Sequence, residues 1–203
     1  MDMELSDERL VELFQAGDSQ AFDMLIKRYE AKVYNMALRL TGNRHDAYDL
    51  AQEVFLKVYR YLAQFRSQST FSTWLYRIVT NSFYDEMRKK KRRPAVAVSL
   101  DERIETSDGE IRRELPSTDS GPEELSLQRE LQHLVQQALS SLPEDYRVVL
   151  VLRDLEAYTY DEIATVLDLN LGTVKSRISR ARLALRKLLQ QEEQTIQHWR
   201  QTD

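Results

Sequence analysis

The residues in this chain best suited to chemistry are those that hold an anion or stack on a flat ring. The segment Phe65-Arg66-Ser67-Gln68-Ser69-Thr70-Phe71-Ser72-Thr73-Trp74-Leu75-Tyr76-Arg77 interleaves aromatic, hydroxyl and guanidinium groups. Aromatic faces stack on unpaired bases while cations neutralise the phosphates between them, so this is the make-up of a single-stranded nucleic-acid surface. Arg77, Asn81, Asp85 and Arg88 follow at intervals of four, four and three residues, forming one polar stripe on a helix. The stripe runs into six successive cations, Arg88 to Arg93. Cations are favoured at a helix C-terminus in any case, but an unbroken run of this kind more often marks an anionic partner. Phe71, Trp74, Leu75 and Ile78 share helical spacing, so part of the aromatic set must be core.

A second constellation lies near the end of the chain. Thr159 and Glu162 have the spacing of a capping box, in which hydroxyl and carboxylate each satisfy a free backbone N–H, so a helix starts there. Asp168-Leu169-Asn170-Leu171-Gly172 is turn-like, and Thr173 opens a longer helix. On that helix Val174, Ile178, Ala181, Leu185 and Leu188 define one packed stripe. Lys175, Ser176, Ser179, Arg180, Arg186 and Lys187 are left to the other faces. Small serines permit close approach and arginine can grip guanine through two hydrogen bonds, which suits a helix-turn-helix in a major groove. A solvated basic face would have the same composition; the capped helix and turn before it favour DNA. A third feature, Asp49, Gln52, Glu53 and Leu56, shares one helix side. Chemistry alone makes it a solvated face and names no partner.

Bond-making chemistry has little support. His45, His133 and His198 are far apart, and cysteine is absent, which removes disulfides, thiolate metal sites and cysteine nucleophiles. The expectation is no catalytic residue, no metal and no cofactor. The acidic start has no apolar signal core and no apolar run approaches a membrane span, so the location expected is the cytoplasm. Net charge is −4, but its distribution is uneven: Ser99 to Ser126 holds nine acids against three bases, while Lys175 to Lys187 holds six bases and no acid. Two basic poles flank an acidic middle.

Helices must position these groups. With only 5 Gly and 4 Pro in 203 residues and 42% apolar residues, an all-α protein with a real core is expected. A short helix after Ser6 ends near Gly17, and Phe22 to Leu40 keep helical spacing until Gly42. A third helix runs from about Arg44 to Leu62 and a fourth from about Thr70 into the basic run, four helices forming one domain. Pro94 to Pro122, with Gly109, Pro116 and Gly121, reads as a flexible acidic linker. Helical spacing resumes near Glu123, and Pro143 with Glu144 and Asp145 opens another helix before the helix-turn-helix. The division expected is 1–93, a linker 94–124, a second domain 125–191 with its helix-turn-helix at 160–179, and a tail 192–203.

Four segments in this order resemble the extracytoplasmic-function group of the sigma-70 family. They are Asp49-Leu50-Ala51-Gln52-Glu53-Val54-Phe55, Phe71-Ser72-Thr73-Trp74-Leu75-Tyr76-Arg77-Ile78, Leu142-Pro143 with its helix, and Tyr160-Asp161-Glu162-Ile163-Ala164 leading to Gly172-Thr173-Val174-Lys175-Ser176-Arg177. The resemblance implies a sigma region 2 domain and a sigma region 4 domain. It implies that Asp49, Gln52, Glu53, Phe55 and Leu56 meet the clamp helices of the β′ subunit of core RNA polymerase. It implies that Arg66, Ser67, Ser69, Thr70, Phe71, Trp74, Arg77, Asn81, Asp85 and Arg88 read and melt the −10 element of promoter DNA. Thr173, Lys175, Ser176, Ser179, Arg180 and Arg186 would read the −35 element, with a further contact to the β flap. The resemblance also implies a stress or envelope regulon and an anti-sigma factor, membrane-bound in many relatives, that would hold such a protein inactive, with no membrane insertion of the chain itself. Base extrusion costs a few kcal/mol, which stacking and polymerase contacts could offset without ATP. The alternative is a helix-turn-helix regulator that binds operators without polymerase; it leaves the aromatic-basic segment unexplained.

Overall fold

The computed structural model describes residues 5–92 and 122–202, and every element among them is helical. The first bundle comprises α1 (Asp7–Gln15), α2 (Ser19–Thr41), α3 (Arg44–Leu62) and α4 (Phe71–Arg92). Short polar side chains set each start: Ser6 accepts from the Arg9 amide, Asp18 from Gln20, Asn43 from Asp46 and Thr70 from Thr73. Gly42 ends α2 in the left-handed region at φ +85, where a side chain would be strained. A Cβ there would also run into the Ser140 hydroxyl, so the absence of a side chain at this glycine lets the two halves of the chain approach closely.

The core of the first bundle is built from Leu10, Leu25, Val33, Met36, Leu40, Val54, Val58, Leu62, Leu75, Val79 and Phe83, all essentially inaccessible. Asp7 ties α1 to α2 by accepting from the Tyr29 hydroxyl and from Arg28 at 2.5 Å. Burial, and then the Asp7 carboxylate, push the Tyr29 phenol well above its ordinary value, so it stays a donor.

The second bundle comprises α5 (Pro122–Ser140), α6 (Glu144–Leu150), a π-helical turn (Val151–Leu155), α7 (Tyr160–Leu167) and α8 (Leu171–Thr202). Leu139, Leu142, Val148, Leu152, Ile163, Val166, Val174, Ile178 and Ala181 are its buried set. The π turn is absent from the sequence-based expectation, because a one-residue expansion leaves no mark on periodicity. The longer helix starts at Leu171, as the spacing from about Leu171 to Gln191 leads one to expect, with Asn170 accepting from the Thr173 amide at 2.8 Å. It continues to Thr202, through the segment expected as a tail, since neither glycine nor proline follows Gly172 to stop it. Arg93 and residues 94–121 of the expected linker lie outside the described residues, and 122–124, expected as its end, already belong to α5.

The two bundles share an interface that periodicity alone does not reveal. The Tyr76 ring meets Tyr158 edge-on at 5.2 Å, and its hydroxyl donates to Glu156 at 3.1 Å. Burial, followed by that carboxylate, drives the Tyr76 phenol far above its ordinary value; burial brings Tyr158 up to about 12. Lys91 pairs with Glu144 at 2.9 Å, and Gln136 donates to the Arg39 carbonyl at 3.2 Å. At the centre, Arg147 is buried and donates to the carbonyls of Leu40, Ser140 and Leu142, the last two at 2.6 and 3.1 Å. Replacing it by methionine keeps the volume and strands these acceptors. An unpaired buried polar group costs about 1–3 kcal/mol, so Arg147→Met should lower the urea midpoint by a corresponding amount. An unchanged midpoint would mean that water takes the guanidinium's place.

Candidate nucleic-acid interface

The α3–α4 loop, residues 63–70, is held from below. The Gln15 side-chain amide donates to the carbonyls of Leu62 and Phe65 at 3.1 and 2.9 Å. Ser67 takes a left-handed φ of 51 at the loop's turn. Phe65, Phe71 and Trp74 form an aromatic cluster with centroids 5.0 to 6.4 Å apart, backed by Tyr29 on Phe71 at 5.2 Å. Loop and helix enclose a cavity of about 310 Å³ lined by Gln64, Phe65, Arg66, Gln68, Ser69, Trp74 and Arg77, with Thr165 of α7 opposite. An aromatic wall with amide, hydroxyl and guanidinium groups around it can stack on a planar ring and hydrogen-bond to its edge.

The structure separates the expected members of this site. Arg66 and Arg77 are exposed, and Ser69 and Trp74 half-buried, in the lining of the cavity; Ser67 and Thr70 are exposed on the same loop but do not line it. Phe71 is 2% exposed and belongs to the core, where it supports Trp74. Thr70 spends its hydroxyl on the start of α4, bonding Thr73 and Ser72 at 2.8 and 3.1 Å. Asn81, Asp85 and Arg88 continue the stripe along α4, with Asp85 accepting from Arg88 at 2.5 Å and facing Lys57 at 3.8 Å. Buried Ser82 accepts from Lys57 at 2.9 Å, a tie between α3 and α4 that the sequence does not announce.

On α3, Asp49, Gln52 and Leu56 are exposed, Leu56 at 58%. Glu53 is engaged with Lys57 at 2.8 Å, and Phe55 lies half-buried against the core. Sequence reasoning missed Tyr48 and Tyr59, 57% and 56% exposed, which with Gln52 and Leu56 extend one outward stripe at intervals of four, four and three. The readable signal was that these apolar groups fall off the buried stripe of Ala47, Leu50, Val54 and Val58.

In the second bundle, α7 carries the full capping box: the Glu162 amide donates to the Thr159 hydroxyl at 3.2 Å and the Thr159 amide to the Glu162 carboxylate at 2.8 Å. Asp168 makes the turn at φ 52. Lys175, Ser176, Ser179, Arg180 and Arg186 are all exposed on α8, while Thr173 is half-buried and donates its hydroxyl to Asn170 at 2.8 Å. Two other cations of the helix pair with the rest of the bundle: Arg177 with Asp145 at 3.2 Å and Arg182 with Asp154. The buried stripe Val174, Ile178 and Ala181 sets the rotation of α8 and leaves the exposed set facing away from the bundle. Among the described residues no group of three or more histidine or carboxylate side chains could hold a metal, and no helix is long and apolar enough to cross a membrane.

A helix-turn-helix and an aromatic, cation-flanked cavity in one helical chain are features of the DNA-binding class of proteins. Residues 25–93 match sigma-70 region 2, and residues 132–185 match sigma-70, region 4. The chain is 41% identical to the RNA polymerase sigma-H factor of Pseudomonas aeruginosa over 91% of its own length and 94% of the relative's. It is also 41% identical to the ECF RNA polymerase sigma-E factor of Escherichia coli over 91% and 95% of the two chains. The sigma factor RpoE of Bartonella quintana, solved in complex with the anti-sigma factor NepR, superposes with a TM-score of 0.61 at 27% identity, covering 83% of this chain and 96% of that one. The chain belongs to the sigma-70 family of RNA polymerase sigma factors, in its extracytoplasmic-function group.

The capping box gives this interface a pH signature. Hydrogen bonds from the Thr159 backbone, then its side chain, hold the Glu162 carboxyl below its ordinary value of 4.5. A lowered folded value stabilises fully above the unfolded value and is lost as pH falls through the folded one. Thr159→Ala should cost about 1 kcal/mol at neutral pH and should flatten the loss of stability below pH 4.5, measured by thermal melts across the acid range. An unaltered acid limb would show that other carboxylates dominate it.

Proposed function

We propose that this chain acts as a transcription initiation factor that docks on core RNA polymerase, reads −35 and −10 promoter elements and helps open the DNA. The observation that carries the proposal is the cavity beside the α3–α4 loop, which has the size and lining for a single unstacked base. In this reading residues 1–93 form the polymerase- and −10-binding unit, 94–124 the linker, 125–191 the −35-binding unit and 192–203 a C-terminal extension. A base leaving the −10 strand stacks on Trp74, and Arg66, Ser67, Ser69 and Thr70 meet its edge and phosphates. Arg77, Asn81, Asp85 and Arg88 track the strand along α4, and Phe71 acts from behind by fixing Trp74. Lys175, Ser176, Ser179, Arg180 and Arg186 face the major groove at the −35 element, with Thr173 fixing the start of their helix.

The outward stripe of α3, with Asp49, Gln52 and Leu56 joined by Tyr48 and Tyr59, fits a helical pair such as the β′ clamp helices; Glu53 orients Lys57, and Phe55 supports the helix from within. The β flap takes the far part of α8. An anti-sigma factor is the natural inhibitor, as the B. quintana relative is solved with one. The chain works in the cytoplasm, without cofactor, and is not an enzyme: melting is driven by stacking and binding energy alone.

The test is transcription in vitro with purified core polymerase on a genomic-fragment library. Protein-dependent transcripts from discrete start sites are expected. On a promoter mapped this way, Trp74→Ala should abolish most transcription from duplex template and little from a template with a pre-melted −10 bubble. Arg180→Ala should weaken −35-dependent binding by about 1–3 kcal/mol, equally on both templates. Tight operator binding by the chain alone, with no transcripts, would instead identify a conventional regulator.

A further inference from the structure

The loop that carries the aromatic cavity begins where α3 runs out of helical partners. The last carbonyls of a helix have no amide of their own helix to accept from, so the peptide planes that follow turn freely unless another group bonds to them. Here one side chain does so. The Gln15 amide nitrogen donates to the carbonyl of Leu62, the last residue of α3, at 3.1 Å and to that of Phe65, in the cavity wall, at 2.9 Å. Leu62 also accepts from the Phe65 amide at 3.1 Å, so the turn 62–65 is closed from within and clamped from outside. Arg66, in the cavity lining, comes next, and the Phe65 ring stands 5.0 Å from Trp74. Gln15 does not line the cavity, and α1 precedes residue 25, where the region 2 match begins. The docking of α1 does not need this contact: Leu10 and Val11 are its buried residues, Asp7 ties it to Tyr29 and Arg28, and Gln15 is exposed. An exposed glutamine that gives up rotamer freedom to hold two loop carbonyls acts on the loop.

We propose that Gln15 is a positioning residue for the unpaired base: from α1 it pre-sets the loop so that Phe65 and Arg66 stand ready beside Trp74. The proposal rests on the role given above to the cavity. A site carried by a loop is imprecise unless a second layer of contacts fixes its backbone, and recognition of a base edge demands placement to within about 0.5 Å. Ordering a loop during binding lowers affinity by the freedom lost, and a loop already ordered avoids that loss. The donor at position 15 therefore governs how well the base is recognised rather than how well the strand's phosphates are held. Stacking and edge bonding depend on the register of Phe65, Arg66 and Trp74, whereas Asn81 and Arg88 stand on α4, which Gln15 does not bond.

The test compares variants at position 15 in holoenzyme assembled from the full-length chain and purified core polymerase, binding a labelled non-template −10 strand of a mapped promoter. An abasic nucleotide is walked along the strand, and the position where it weakens binding most marks the captured base. For the parent that penalty should be about fivefold or more, the lower end of base–aromatic stacking. Gln15→Met keeps the side chain's length and removes the donor. It should shrink the penalty about threefold, within the range of one hydrogen bond, while the abasic strand binds as before and the thermal midpoint of the free chain holds. Gln15→Lys, whose ammonium donates at similar reach, should keep the parent's penalty, because any added attraction to phosphate is shared by intact and abasic strands. In a Trp74→Ala background, Gln15→Met should change nothing further, as expected of two groups acting on one site. A penalty unaffected by Gln15→Met, or shrunk as much by Gln15→Lys, would overturn the proposal, as would equal weakening of intact and abasic strands. A parent that binds intact and abasic strands alike at every position would instead overturn the reading of the cavity on which the proposal rests.

Discussion

One buried guanidinium holds the architecture together. Arg147 reaches from α6 to the carbonyls that end α2 and α5, where the helical ladder leaves acceptors without partners. Burial lowers its pKa from the usual arginine value and the neighbouring Glu144 carboxylate acts against that, yet a guanidinium remains charged in any protein setting. A permanent charge therefore sits at the junction of three helices from two bundles, with the Phe83 ring 5.8 Å from its central carbon. The relative placement of helix-turn-helix and loop cavity follows from it. Gly42 beside it lets α2 and α5 approach, and Tyr76, Tyr158 and the Lys91–Glu144 pair complete the same surface.

Each bundle was legible in the sequence because each buries a stripe of its own. Val33, Met36 and Leu40 recur at helical spacing on α2, Leu50, Val54 and Val58 on α3, and Val174, Ile178 and Ala181 on α8; all are buried. The capping box at Thr159 and the stop at Gly42 stand where their residue types demand. The contact between bundles left no such trace. It is made where the two buried sets merge into one core, and by single polar groups and two tyrosines whose partners lie dozens of residues away, while periodicity reports only neighbours on one helix. Phe71 shows the same limit at one position. Its spacing allows core or surface, and only the packing of Tyr29 and Phe65 around it decides for the core.

The candidate surfaces differ in how they are built. The helix-turn-helix face is a set of exposed cations and serines on one rigid helix, oriented by the buried stripe Val174, Ile178 and Ala181. The loop cavity instead depends on tertiary support: Gln15, from the first helix, bonds two of the loop's carbonyls, and the aromatic wall stands on α2. Composition could point to both segments as partners for nucleic acid. It could not show that one is a surface and the other a concave site.

The uninterrupted α8 has a mechanical consequence. At about 1.5 Å per residue, its 32 residues span roughly 48 Å. The exposed cations Lys175, Arg180 and Arg186 lie in its first half, so the remainder is a stiff arm beyond them. A small tilt at the base becomes a much larger sweep at the tip. Whatever grips the far end of this helix therefore acts on the cation-bearing half with leverage, as a handle acts on a blade.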